Sequence, residues 1–335
     1  MLFGNSPSDL GFLPPQFTGD VQMFFSTGVQ ATPTTNNWQT WVKPRGISMV
    51  YMIAIGGGGG GGGGFSGASG AARGGGGGGA CSGFTTLMMP AIFLPDSLKI
   101  IVGDGGRGGT GSGVAGTAGG ISYISLGAGA TTGIVAPNII LASGGTTPAG
   151  GGAAGGSSGT APGGTAATVS TIALTGPFSK LGFFSSTGTA ANSGYAGIAG
   201  GNGGTATGGT GTSITAGATI PLSPGAGGGG INTVGQAGFG GGSINISGTT
   251  IDYAEGQFTT ILPGSSGNRI DAGGGIRSFK PFFQTGAPGG GAVDFSFGGN
   301  GGNGGIGCGG GGGGGGTTGG RGGDGGSGMV AIISW

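Results

Sequence analysis

Apolar residues along this chain come in short blocks divided by glycine. One such block covers Ile47–Ile55 (ISMVYMIAI). Ile47, Met49, Tyr51, Ile53 and Ile55 fall on one face of a strand and Val50, Met52 and Ala54 on the other, so the alternation predicts a strand buried on both sides. Lys43-Pro44-Arg45-Gly46 reads as the turn before it. The chain closes on a second such block, GMVAIISW, ending at Trp335, and the two are expected to lie together and close the domain. Between them FTTLMMP, SLKIIVG, ISYISLG, PNIILA, TVSTIALTG and INISGTTI have the length and the Ile, Val, Thr and aromatic content of strands. No segment carries a helical period, and interior glycine costs a helix about 1 kcal/mol relative to alanine.

The intervening tracts have a period of their own. GGNGGNGGIG (298–307) and GGRGGDGGSG (319–328) repeat as G-G-X, and VGDGGRGGTG (102–111) holds the same phase in part. Collagen also repeats every third residue, but with one glycine per triplet and abundant proline. Two glycines per triplet suit a left-handed, three-residue-per-turn helix of the polyproline II type whose flanks meet other backbones. Such a helix has no internal hydrogen bonds, so its amides must pair with neighbouring helices. At ~3.1 Å per residue, the unbroken glycine run 56–64 would extend about 28 Å. A flexible linker is the alternative reading of such a run.

Composition bears on that choice. The chain has 335 residues, 102 of them glycine, with 35% hydrophobic residues, 6% charged residues and a net charge of +1. Disordered chains combine low hydrophobicity with high net charge, and this chain has neither, so the glycines are expected to be ordered. The expected fold is all-β and irregular: short strands with packed, glycine-rich polyglycine II helices and almost no α-helix. Residues 1–37 differ, with few glycines, the pair Pro14-Pro15 and the aromatics Phe3, Phe12, Phe17, Phe24 and Phe25. They read as an attachment arm preceding a glycine-rich domain over 38–335. The N-terminal residues lack the basic and apolar regions of a signal peptide, and no run reaches the ~18 apolar residues of a membrane span.

Catalytic motifs are poorly supported. With this much glycine, G-x-G-x-x-G arises by chance. None of Lys43, Lys99, Lys180 and Lys280 follows a glycine, as a Walker loop requires, and with no histidine a Ser-His-Asp arrangement is impossible. GGRGGDGG lacks the accumulated positive charge of RNA-binding RGG segments, because Asp104 and Asp324 accompany Arg107 and Arg321. No enzyme activity, cofactor, metal or nucleic-acid partner is expected. Cys81 follows one glycine run and Cys308 precedes another. They read as small buried residues or, if those runs pack antiparallel, as a disulfide.

The combination W-x-x-P-x-G (Trp41, Pro44, Gly46), a β-run, poly-glycine, V-G-x-G-G-x-G-G (Val102 to Gly109) and the closing Gly322-to-Trp335 segment resembles the glycine-rich domain of bacteriophage tail proteins. The likeness covers roughly 38–126 and 298–335. It is similar to tail-fibre adhesins in which a sandwich of polyglycine II helices displays loops that bind host receptors. The resemblance implies a virion protein, with other tail or capsid proteins and a host surface receptor as partners. A homotrimer and a single copy on a trimeric fibre both agree with the composition.

Recognition is therefore sought at a surface. Residues 109–251 hold one charge, Lys180, whereas 252–294 hold seven. Aromatics and arginine favour interfaces, which singles out insert 176–195, with Phe183, Phe184 and Tyr195, and insert 252–297, with Tyr253, Arg277, Phe279, Phe282 and Phe283, as receptor-facing candidates. Phe3, Phe12, Phe17, Phe24 and Phe25 are the candidates for particle attachment. Two other classes remain open: a virion structural or decoration protein with no receptor, and a non-viral glycine bundle of antifreeze type with regularly spaced Thr or Ala on a flat face.

Overall fold

The computed structural model describes residues 19–27, 38–127, 139–143, 147–168, 194–216, 222–232, 238–246, 260–261 and 285–335. Strands form where apolar blocks interrupt the glycine tracts: β1 (Asp20–Phe25), β2 (Gln39–Val42), β3 (Met49–Ile55), β4 (Phe84–Pro90), β5 (Ser97–Ile101), β6 (Tyr123–Ser125), β7 (Ile139–Ala142), β8 (Gly194–Tyr195), β9 (Ile214–Ala216), β10 (Ile244–Ile246), β11 (Thr260–Ile261) and β12 (Met329–Ser334). Among the described residues there is no α-helix, only a single 3-10 turn at Ala91–Phe93.

The two terminal blocks of the glycine-rich region do pair. β12 lies antiparallel between β3 and β1 in a five-stranded sheet ordered β1-β12-β3-β4-β8. A second sheet, β2-β5-β6-β7, packs against it. Val50, Met52 and Ala54 of β3 join Leu87, Met89, Val330, Ile332, Trp41, Leu98, Ile100, Ile124 and Leu141 in the core between the sheets. The opposite face of β3, with Ile53 and Ile55, packs against Cys81, Leu222 and Cys308 at the ends of glycine segments. Both faces are thus covered, as the apolar alternation requires. A third sheet, β11-β10-β9, is smaller.

Beyond the strands the chain runs as long glycine segments whose backbone bonds repeat every third residue. Gly57, Gly60 and Gly63 donate to the carbonyls of Gly120, Thr117 and Val114; Gly58, Gly61 and Gly64 donate to Gly326, Gly323 and Gly320; Gly59, Gly62 and Phe65 donate to Ala80, Gly77 and Gly74. Its carbonyls accept in turn from Gly106 and Gly109, from Gly152 and Gly155, and from Gly310, Gly313 and Gly316. Segment 56–64 is therefore surrounded by six neighbours, three antiparallel donors' partners and three parallel acceptors' partners.

Segments 74–80, 225–230 and 309–316 are surrounded in the same way, and these four form the interior. Segments 103–109, 114–120, 149–156, 161–168, 197–204, 209–213, 238–243, 286–293, 298–305 and 319–328 ring them, each bonded to the next. The hydrogen-bonded neighbours define four layers of three, four, four and three segments. In the interior a side chain has nowhere to go: a Cβ added at Gly60 would overlap the carbonyl of Arg107, and one at Gly61 that of Gly311. The third residue of each G-G-X triplet points outward, so Asn303, Arg107, Arg321, Asp324 and Ser327 are exposed.

β1 belongs to this body. Phe24 is buried in the core between the sheets and all six β1 residues are in register with β12. The compositional boundary at residue 37 therefore does not mark the edge of the folded part. Likewise 286–293 is a buried segment of the layers and not a surface insert.

Candidate functional site

The strands and the turns occupy opposite ends of the glycine layers. β3 runs directly into segment 56–64, segment 74–80 runs into β4, and segment 319–328 runs into β12. At the other end lie residues 65–73, 110–113, 157–160, 205–208, 231–232, 294–297 and 317–318, where segments of the layers end and the chain turns back. Gly113 and Gly159, both at φ +74°, supply left-handed residues in two of these reversals.

Among the described residues of this end only two side chains are ionisable, Arg73 and Asp294. They meet in the interior as a buried ion pair between Arg73 Nη2 and Asp294 Oδ1. Arg73 Nη1 also donates to the Asp294 carbonyl at 2.9 Å and Nε to the Ala71 carbonyl at 3.1 Å. Asp294 accepts from Ser69 Oγ at 3.0 Å and from the Gly70 amide at 3.2 Å. Burial pushes the Arg73 guanidinium below its ordinary value, but an arginine starts so far above neutrality that it stays charged beside a carboxylate. A buried pair is tolerated only when the remaining donors and acceptors are met, and here the loop backbone meets them.

That pair holds one side of the 294–297 turn. The other side is held by Thr317, whose amide and hydroxyl both donate to the Ser296 carbonyl at 2.9 and 3.0 Å, and by the Gly298 amide, which donates to the Thr318 carbonyl at 2.9 Å. Between the two clamps Phe295 and Phe297 face solvent, 73% and 51% exposed. The turn that carries these exposed rings is thus held in place from both sides.

The residues chosen from sequence are distributed differently. Tyr195 lies in β8 at the sheet edge, its ring centroid 5.7 Å from that of Phe84, so it stands at the strand end. Phe24 is buried and Phe25 is half exposed on β1. Phe3, Phe12, Phe17, Phe183, Phe184, Tyr253, Arg277, Phe279, Phe282 and Phe283 lie outside the described residues. Phe295 and Phe297 both fall within the 252–297 insert, but the Arg73–Asp294 pair was not legible, because 221 residues separate the two charges. A usable signal was present: DFSF stands between a glycine segment and GGNGGNGG, so its alternate aromatics have no place inside the packed layers.

Cys81 and Cys308 are both free and buried. Among the described residues no group of three or more His, Cys, Asp or Glu side chains is placed to hold a metal ion, and no helix is long and apolar enough to cross a membrane. No protein-family model matches the chain, and neither does any curated protein sequence.

Proposed function

We propose that this chain is a non-enzymatic virion protein, a phage tail-fibre or tail-tip adhesin whose glycine segments are polyglycine II helices. The strand end, with β1 and the N-terminal residues, faces other tail or capsid proteins. The turn end faces a host surface receptor.

The period-three bonding, with six hydrogen-bonded neighbours around segment 56–64, supports the helix reading, since a three-residue-per-turn helix presents one amide to each of three directions. The adhesin reading rests on one observation above all: Phe295 and Phe297 are exposed on a turn clamped by a buried ion pair, at the end remote from β1. Large apolar side chains held in water at one tip mark an interaction site, and a rigid scaffold carrying such loops is a common means of recognition.

The test is to replace both rings, Phe295→Ala with Phe297→Ala, and measure binding of labelled protein to cells of the phage host. Binding should fall at least about tenfold with the unfolding midpoint unchanged, while Phe25→Ala at the other end leaves binding intact. Undiminished binding by the double variant would remove the tip from the mechanism. A wild-type protein that occupies the particle yet binds no cells would favour a purely structural role.

A further inference from the structure

We propose that Cys81 and Cys308 are a latent internal disulfide that staples segment 74–80 to segment 309–316. Gly76, Gly79 and Ser82 donate to the carbonyls of Gly313, Gly310 and Gly307. This antiparallel register sets Cys81 directly opposite Cys308, at the junction with the sheet. Backbones joined by such direct bonds run about 5 Å apart, within the ~4.4–6.8 Å that a disulfide spans between Cα atoms. Both thiols are fully buried in one apolar cluster with Ile55, Leu222 and Met329.

Each sulfur now accepts from a neighbouring amide, Cys81 from Ile198 at 3.1 Å and Cys308 from Ser223 at 3.4 Å. Thiols are weak acceptors, so turning both away from these amides costs little. Burial pushes the Cys81 thiol up to about 12, and burial with the nearby Cys81 raises Cys308 as well. The nucleophile is the thiolate, so the folded protein exchanges slowly. The bond forms while this junction is open, and once formed it resists reduction. With a small-molecule disulfide such as oxidised glutathione as oxidant, the Cys81 thiolate attacks one glutathione sulfur and expels a glutathione thiolate. The Cys308 thiolate then attacks Cys81 Sγ and expels the second. The two cysteines lose two protons and two electrons, and one glutathione disulfide becomes two thiols.

The full chain is equilibrated with oxidised glutathione in urea near its unfolding midpoint, refolded by dilution, then denatured, alkylated and mapped by mass spectrometry. The expected product carries a Cys81–Cys308 bond with no alkylated thiol, and its thermal midpoint lies about 5 °C above that of the reduced protein. Cys308→Ser treated identically shows no such rise. Two alkylated cysteines, persistent glutathione adducts, or a disulfide that lowers the midpoint would each overturn the proposal. Should Cys308→Ser not fold, the oxidised and reduced wild-type forms supply the comparison.

Discussion

At Gly60 an added Cβ would overlap the Arg107 carbonyl, whereas at Gly111 it would meet no heavy atom within 4 Å. The difference lies in what surrounds each glycine in the fold. Gly60→Val forces two backbones apart in the interior, and backbone cannot rotate away as a side chain does. The expected cost is at least about 3 kcal/mol, read as a fall in the urea midpoint, while Gly111→Ala leaves the midpoint within ~0.5 kcal/mol of wild type. Equal, small effects at both positions would show that 56–64 behaves as a linker. The residue scale also explains the charges at the tip. Arg73 and Asp294 are safe in the interior because each is the other's partner and the loop backbone satisfies the rest, so the exposed surface between the clamps is left to Phe295 and Phe297.

An outer segment differs from an inner one through a single position in three. Segments 298–305 and 319–328 have inward neighbours along two of their sides, and both sides are glycine. On the third side no backbone carbonyl is in reach, and there an outer amide is met by a side-chain oxygen of an X residue in an adjacent segment. Asn300 Oδ1 accepts from the Arg321 amide and Asn303 Oδ1 from the Asp324 amide, both at 2.8 Å, and Asp324 Oδ1 accepts from Gly108 at 2.8 Å. On the far face Asn202 Oδ1 accepts from Gly163 at 3.0 Å. Asn, Asp, Ser and Thr recur at X because a short side chain ending in oxygen takes the place of the missing carbonyl. Asn303→Ala removes one such bond at a hydrated surface and should cost about 1 kcal/mol. Gly301→Ala, two residues earlier, sets a methyl against the Gly311 carbonyl and should cost at least about 2 kcal/mol. Urea unfolding of the two variants checks the order, and a reversal would refute this account of the triplet.

Among the described residues the strands make one end and the turns the other, and β1 belongs to the strand end. Deleting residues 1–27 removes β1, takes Phe24 from the core and leaves β12 with an open edge, so the thermal midpoint should drop by several degrees. A truncation that stops at residue 18 keeps β1, and loss of incorporation into particles by that shorter deletion reports attachment separately from folding. A 1–27 deletion that melts like wild type would show that β1 adds nothing to the body. Much of this architecture was readable in the chain. The alternation in Ile47–Ile55 determined a strand covered on both faces, the closing block a segment that lies with it, and the G-G-X period a three-residue repeat whose glycine flanks meet other backbones, because spacing along a backbone dictates which side chains share a face. β1, β2 and β8 were not readable, being short strands whose pairing comes entirely from distant partners. Nor could the chain say which segments touch, since glycine runs are interchangeable as sequence and differ only in the number of neighbours that the fold supplies. Tertiary structure alone decided that Arg73 meets Asp294, that Cys81 stands opposite Cys308, and that the exposed rings of the turn end are Phe295 and Phe297. Local pattern fixes what each segment must hide, but contacts across hundreds of residues depend on how the segments stack.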